Sequence, residues 1–306
     1  MQPTRQFRTA IVPAAGLGTR FLPTTKTVPK ELLPVVDTPG IELVAAEAAE
    51  AGATRLLIVT SPGKDAVAAY FEPQPELEQT LTERGKHTLA AKVRRAAELI
   101  TVQTVTQHEP KGLGHAVGCA SDALGADEDA VAVLLPDDLI LPTGVLNRMA
   151  AVRAHYGGSV LCAFDVPRAE ISAYGVFDVA DTADPDVKIV LDMVEKPPID
   201  EAPSTFATAG RYLLDRQIFD VLKRITPGAG GELQLTDAVA LLIQEGHPVH
   251  VLVHRGGRHD LGSPAGYVRA YVDFALAHPE YGPELRDWLT RRLVSENNES
   301  LGALGT

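Results

Sequence analysis

Cysteine is nearly absent: Cys119 and Cys162 are the only two in 306 residues. They stand far apart, each in an apolar pattern, which excludes a disulfide framework and a thiolate metal site and leaves two buried, reduced thiols. Basic residues are in deficit, 28 against 40 acidic ones for a net charge of -12. That balance excludes non-specific nucleic-acid binding, which relies on Lys and Arg to neutralise a phosphate backbone. No apolar run approaches the roughly 20 residues needed to span a bilayer, and the N-terminus lacks a signal-peptide apolar region. The expectation is a cytoplasmic protein with no membrane partner. HExxH and Gly-x-Ser-x-Gly are missing as well, which argues against a zinc peptidase helix and a serine nucleophile elbow.

One local absence points the other way. Residues 1–30 contain no carboxylate, yet they carry Arg5, Arg8, Arg20, Lys26 and Lys30. A basic island in an acidic chain implies a local anionic ligand. Inside it, the apolar Ile11-Val12-Pro13 leads into Ala14-Ala15-Gly16-Leu17-Gly18-Thr19-Arg20, with Pro29-Lys30-Glu31-Leu32-Leu33-Pro34 close behind. Glycine lets backbone N–H groups approach oxygens closely, and Arg20 and Lys30 add full charge, so the segment reads as a phosphate site. It is neither common phosphate motif. Phe21 stands where a dinucleotide fingerprint needs its third glycine, and no Gly-Lys-Ser/Thr follows Gly16 as a P-loop requires.

What remains is rich in small and turn residues: 45% hydrophobic, 26 glycines and 22 prolines, enough for a large core with many turns. Strands are expected at Ala10–Val12, Arg55–Thr60, Thr101–Gln107, Val131–Leu135, Ser159–Val166, Lys188–Val194, Phe206–Leu214 and Val249–Val253. Helical patterns lie between them, at Pro39–Ala51, Gly114–Leu124, Thr143–Tyr156, Gln217–Arg224 and Thr236–Glu245, and two more close the chain at Pro264–Ala277 and Pro283–Leu293. The βαβ order implies an α/β fold, Rossmann-like and three-layered, around a mixed, mainly parallel sheet. Such sheets bind ligands beyond the carboxyl ends of their strands, where the glycine segment sits. Residues 72–98 read as an inserted helical segment. Residues 1–294 are taken as one domain and 295–306, polar and aperiodic, as a flexible tail.

Two carboxylate positions follow strands. Pro136-Asp137-Asp138 comes after Val131-Ala132-Val133-Leu134-Leu135, and Asp260 sits in His259-Asp260-Leu261-Gly262. Hard oxygen ligands at a strand end suit magnesium, which takes one or two carboxylates together with substrate phosphates. A plain Pro-Asp-Asp turn is the bland alternative. A second cation stands in Glu195-Lys196-Pro197, where the proline is expected to keep Lys196 extended.

PAAGLGTRFLPTTKTVPKELLPVVDTP, QHEPKGLGHAV, LLPDDL, SAYGVFDV, VEKP, AGRYLL, GGELQLTDA and HDLG occur in this order between about Thr9 and Leu293. With these motifs and spacings the chain resembles the sugar-nucleotide pyrophosphorylases, nucleotidyltransferases that join a nucleoside triphosphate to a sugar 1-phosphate, and among them the bacterial members that make UDP-glucose. The resemblance implies a nucleotidyltransferase fold with an N-terminal nucleotide part, a sugar-phosphate part over about 150–262 and C-terminal helices. It implies UTP and glucose 1-phosphate as substrates, UDP-glucose and pyrophosphate as products, magnesium as cofactor, and a homodimer or homotetramer.

The resemblance also distributes roles. Arg20 and Lys30 would meet nucleotide phosphates and Lys196 the sugar phosphate, all three without a covalent nucleophile. Ala14, Ala15, Gly16, Gly18, Gln107, Gly112 and Gly114 would hold the nucleotide, with Gln107 offering a donor and an acceptor to a pyrimidine edge. Gly175, Glu195, Thr208 and Gly210 would form the sugar pocket. Asp137 rather than Asp138 would hold the metal, with Asp260 as a second or water-mediated ligand. His108 and His115 have no partners at metal-ligand spacing and read as structural or peripheral. Three alternatives stay open: another nucleotide or sugar phosphate, a non-catalytic sugar-nucleotide sensor, and a dehydrogenase, which the missing third glycine disfavours.

Overall fold

Alternation along the first strand shows how the layers arise. In β1 (Thr9–Pro13), Ala10 and Val12 point to one face of the sheet and Ile11 to the other, and all three are fully buried. A strand apolar on both faces needs helices on both sides. The computed structural model describes residues 7–303. Arg5 of the basic island and residues 304–306 of the expected tail lie outside the described residues.

Eight more strands complete a nine-stranded sheet: β2 (Arg55–Thr60), β3 (Thr101–Thr106), β4 (Ala130–Leu134), β5 (Ser159–Asp165), β6 (Gly175–Asp181), β7 (Val187–Glu195), β8 (Phe206–Asp215) and β9 (Val249–Val253). Their order is β3-β2-β1-β4-β8-β5-β9-β7-β6, and β8 also touches β6 through Ala207 and Val176. The sheet is mixed. Pairing is parallel through β3-β2-β1-β4 and between β5 and β9, and antiparallel where β8 meets β4 and β5 and where β7 meets β9 and β6. The β6 strand goes beyond the sequence reading, which treats its residues as a sugar-facing segment. From Asp178 onward it is only half-buried, so its alternation is weak, and pairing with β7 is what makes it a strand.

One covering layer holds the helices Gly40–Glu50 and Val145–Tyr156, which pack Ile41, Val44, Ala48, Leu146 and Met149 against Val12 and Ile58. The other holds Leu113–Cys119, Ile218–Leu222 and Leu235–Gln244, with Val117, Ile218, Val239 and Leu242 against Ile11, Leu57 and Val133. Each fully buried aliphatic side chain contributes about 1.5–3 kcal/mol. Cys162 belongs to this core, where burial pushes its thiol up to about 12, and both cysteines are free. The inserted segment is two helices, Pro75–Glu83 and His87–Leu99, tied to the first layer by Arg95 Nε donating to the buried Glu42 at 2.5 Å. At the end of the chain the helix Gly282–Ala303 continues through 295–303, which the sequence assigns to a tail.

Candidate active site

Because β1 to β4 run parallel, the segments leaving their carboxyl ends meet on one edge of the sheet. These segments are Ala14–Gly18, Ser61–Lys64, Gln107–Gly112 and Leu135–Asp138. All but Ser61–Lys64 wall a cavity of about 310 Å³, whose lining includes Ala15, Gly16, Lys30, Gln107, Gly112 and Asp137. A larger cavity of about 760 Å³, walled by Arg148, Tyr156 and Leu252, contains none of the motif residues. After the glycines the chain makes three short 3-10 turns, Thr19–Phe21, Thr24–Lys26 and Lys30–Leu32, which carry Arg20 and return Lys30 to the cavity. Gly18, with φ of +65°, permits that return: a Cβ there would stand 3.2 Å from Thr25 and 3.3 Å from Lys30. The N–H of Ala14, a residue expected to hold the nucleotide, donates to Val59 O at 2.7 Å and prolongs the β1–β2 pairing, and Ala15 is the alanine in the cavity wall.

Lys30 Nζ donates to Asp137 Oδ2 at 2.5 Å. Burial works against the ammonium, but the adjacent Asp137 carboxylate outweighs it and the Lys30 pKa is raised. Asp138 has no such freedom. Its Oδ2 accepts from Gly210 N at 2.7 Å and its Oδ1 from Arg258 Nε at 2.8 Å, while Arg258 lies over the rings of Phe164 and Tyr174. One carboxylate is thus structural and the other faces the cavity. Asp260, on the strand Gly257–Asp260 paired with Asp138–Leu141, accepts from Gly262 N at 2.7 Å. A Cβ on Gly262 would stand 2.9 Å from Asp260 Oδ1 and 3.1 Å from Asp137 Oδ2, so both carboxylates converge on this glycine. Arg20 Nη1 reaches Gly262 O at 3.3 Å and joins the same rim. Among the described residues no three His, Cys, Asp or Glu side chains form a metal cluster. Two carboxylates are nonetheless a donor set that suits magnesium when phosphates complete it.

Gly175, Glu195 and Lys196, expected on the sugar side, form a second cluster. Gly175 pairs with Glu195, and Glu195 Oε2 accepts from Thr236 Oγ1 at 2.7 Å. Lys196 Nζ lies 3.2 Å from Glu195 Oε1. The expectation that Pro197 keeps Lys196 extended is corrected: Lys196 has φ of +46°, in the left-handed region, with its N–H donating to Tyr174 O at 3.0 Å. A long side chain held there costs about 1–3 kcal/mol, which the flanking β6 and β7 pairing offsets. Thr208 and Gly210 do not join this cluster. Thr208 Oγ1 is 3.4 Å from Tyr212 OH, and Gly210 is buried, where a Cβ would lie 2.7 Å from the Leu135 side chain. Close packing beneath the aspartate pair explains that glycine.

The segment Glu232–Thr236 links the two clusters. Glu232 walls the cavity, Leu233 N donates to Lys111 O at 2.7 Å, Gly114 N donates to Leu233 O at 2.8 Å, and Thr236 holds Glu195. A Cβ on Gly112 would come within 2.8 Å of Glu232, and one on Gly114 within 2.7 Å of Leu233 O. Both glycines permit this docking, and Gly112 also faces the cavity. Gln107 is buried, with Nε2 3.2 Å from Gly112 O and 2.9 Å from His115 Nδ1. His115, read as structural or peripheral, touches a cavity residue; His108 makes no comparable contact among the described residues.

Two further positions escape the sequence reading. Lys64 Nζ donates to Ala14 O at 2.7 Å, Gly16 O at 2.6 Å and Glu31 Oε2 at 3.0 Å, fastening the glycine loop. A cation after Ser61-Pro62-Gly63 at a strand end was the available signal. Arg211, fully buried in β8, donates to Glu47 Oε2 at 2.8 Å and Leu135 O at 3.3 Å, and so braces the strand end that carries Asp137. Its partner lies 164 positions away, and nothing local announces it.

The chain is similar to known proteins over nearly its whole length. The chain is 40% identical over 298 residues to the UTP–glucose-1-phosphate uridylyltransferase YngB of Bacillus subtilis, covering 97% of this chain and 99% of that one. A second Bacillus subtilis protein of the same activity name is 42% identical over 293 residues, 95% of this chain and 99% of the relative. Among solved structures, a UTP-bound UGPase from Acinetobacter baumannii superposes with a TM-score of 0.84 at 37% identity, over 93% of this chain and 99% of that one. A UDP-glucose pyrophosphorylase complexed with UDP-glucose does so with a TM-score of 0.78 at 34% identity, over 89% and 100%. The family model for nucleotidyl transferases matches residues 9–275, a span that takes in the glycine loop, both aspartates and the Glu195–Lys196 cluster, and the chain belongs to that nucleotidyl transferase family.

Proposed function

We propose that this chain transfers the uridylyl group of UTP to glucose 1-phosphate and releases pyrophosphate and UDP-glucose. The observation that carries the reading is the convergence of Gly16, Lys30, Gln107 and Asp137 on one cavity at the carboxyl ends of parallel strands. Relatives named for this activity cover nearly the whole chain. The phosphate oxygen of the sugar 1-phosphate attacks the α-phosphorus of the nucleotide; one O–P bond forms, the bond to the bridging oxygen breaks, and pyrophosphate leaves with the electron pair. The nucleophile is already an anion, so no base is needed. What opposes the reaction is repulsion between two anions, roughly 4 kcal/mol for each pair of unit charges at ~4 Å near a protein surface.

This chain's cations answer that repulsion. Lys30, kept charged beside Asp137, faces the nucleotide phosphates from the cavity wall, Arg20 adds charge from the rim, and Lys196 meets the sugar phosphate. Glu195, oriented by Thr236, accepts from sugar hydroxyls over Gly175. Ala15, Gly16, Gly112 and Gln107 hold the nucleoside. Asp137 and Asp260 are the residues that would hold magnesium, which when bound supplies charge to both phosphate groups. Among the described residues no helix is long and apolar enough to cross a membrane, in keeping with a cytoplasmic enzyme acting on soluble substrates. Val268 and Tyr271 on the helix Pro264–Ala277 and Trp288 on the helix Gly282–Ala303 are exposed apolar side chains available to a homodimer or homotetramer, which sedimentation would test.

The test is pyrophosphate release with UTP, dTTP, CTP or ATP and glucose 1-phosphate, with and without magnesium, on the native chain and Asp137→Asn. UTP is expected to be preferred, and the variant to lose about 100- to 1000-fold in turnover, as typical for removal of one electrostatic stabiliser. Equal turnover by both proteins would remove Asp137 from the mechanism.

A further inference from the structure

Gln107 is anchored by its backbone: its N–H donates to Thr60 O at 2.7 Å, which carries the β2–β3 pairing one residue further. Only the side-chain torsions remain free. The amide end that approaches Gly112 O at 3.2 Å has to be the NH2 group, because a carbonyl oxygen can only accept. The same nitrogen is 2.9 Å from His115 Nδ1. If that ring nitrogen carries a lone pair, both amide hydrogens are engaged and Oε1 alone is left, on a residue that walls the cavity and with no donor to Oε1 among the described residues. The rest of the imidazole agrees with this tautomer. His115 and Cys119 lie on one face of the helix Leu113–Cys119 at i and i+4, and Nε2 is 3.9 Å from the Cys119 sulfur, a weak acceptor suited to an Nε2–H.

We propose that His115 is a specificity-determining positioning residue: by presenting Nδ1 as an acceptor it locks the Gln107 amide with Oε1 toward the cavity, so the site accepts bases offering a ring N–H and rejects those offering a lone pair there. The proposal rests on the reading of this cavity as a nucleotide site. Uracil and thymine carry an N–H at N3, whereas cytosine has a lone pair at that position. A Gln107 free to turn over could offer N–H instead and satisfy cytosine; His115 and Gly112 together prevent it. His115 touches no reacting atom in this account and acts through the amide it holds.

Two measurements test it. On the native protein, two-bond 15N–1H spectra report the His115 tautomer: an unprotonated Nδ1 with Nε2–H is expected, and Nδ1–H on the neutral ring would overturn the proposal whatever any variant does. The second is kcat/KM for UTP and for CTP with glucose 1-phosphate in the native chain, His115→Phe, His115→Asn and Gln107→Leu. Loss of one buried hydrogen-bond acceptor should lower the UTP-to-CTP ratio of His115→Phe by about 10-fold. His115→Asn, whose side-chain oxygen can accept near the place of Nδ1, should restore it. If Gln107→Leu lowers the ratio and a folded His115→Phe does not, His115 is not the lock. If Gln107→Leu keeps the native ratio, Gln107 does not read the base; if no triphosphate supports turnover in the native chain, the functional reading itself fails.

Discussion

Replacing Lys64 by methionine keeps the length and the apolar stem of the side chain and removes its donors. The native ammonium holds Ala14 O, Gly16 O and both oxygens of Glu31, at 2.6 to 3.2 Å. Glu31 is 3% exposed, so the variant leaves a carboxylate in the interior without its main partner. Breaking a buried pair from one side costs about 3–5 kcal/mol. Lys30, whose ammonium also feels Glu31, brings the expected loss to the lower end, about 3 kcal/mol. For a chain of this size that is a fall in Tm of about 5 °C. The released loop also makes nucleotide binding less ordered, and about 1.4 kcal/mol of lost positioning raises KM for UTP about tenfold. Thermal denaturation and steady-state kinetics read both effects. The double variant Lys64→Met, Glu31→Leu separates them: removing both charges should recover much of the Tm, since a buried pair replaced by apolar side chains is often neutral, while KM stays high. If Lys64→Met melted within about 1 °C of the native chain, roughly a fifth of the fall expected, and bound UTP unchanged, the loop would not depend on this pin.

Other outcomes follow from single observations. Gly114→Ala places a methyl 2.7 Å from Leu233 O, and overpacking of that kind costs about 1–3 kcal/mol; a lower Tm together with a higher KM for UTP is expected, because the displaced segment also carries Glu232. At Lys196 the usual ranking of alanine over glycine should reverse. With φ of +46°, Lys196→Gly should be about 0.5–1 kcal/mol more stable than Lys196→Ala in urea denaturation, both should lose turnover, and a more stable alanine variant would contradict the left-handed backbone. His250 is buried beside Tyr156, and burial holds its imidazole below the usual value. A depressed folded value means that its contribution is fully present above pH ~6.5 and is lost as pH falls through the folded value, so His250→Phe should flatten the dependence of Tm on pH between about 7 and 5.

The central strands were legible because each is a local pattern. Ala10–Val12 and Arg55–Thr60 are short apolar runs bounded by turn residues, and the structure places strands there. The cavity residues were legible for a related reason: Gly16, Gln107 and Asp137 come just after strand ends, and parallel strands deliver all such ends to one edge. Legibility fell where a residue's environment is assembled from distant segments. Asp137 and Asp138 are identical neighbours, and only the contacts of Gly210 and Arg258, 72 and 120 positions away, make one structural and leave the other to the cavity. Gly210 and Gly114 read as ligand glycines, and the structure adds a packing demand at each: a Cβ would meet the Leu135 side chain at Gly210 and the Leu233 backbone at Gly114.

Sequence alone determined that this chain folds around an α/β sheet, that a glycine-rich, basic segment follows its first strand and that its motifs are those of a nucleotidyl transferase. Those properties depend on residue periodicity, turn chemistry and local charge, all of which are written within a few neighbouring positions. Tertiary structure decided which carboxylate faces the cavity, that Lys64 and Arg211 brace it, that Lys196 adopts a left-handed backbone and that His115 meets Gln107. Each of these is set by partners brought together only when the sheet is assembled, and burial then makes an unpaired polar group too costly to leave unmatched.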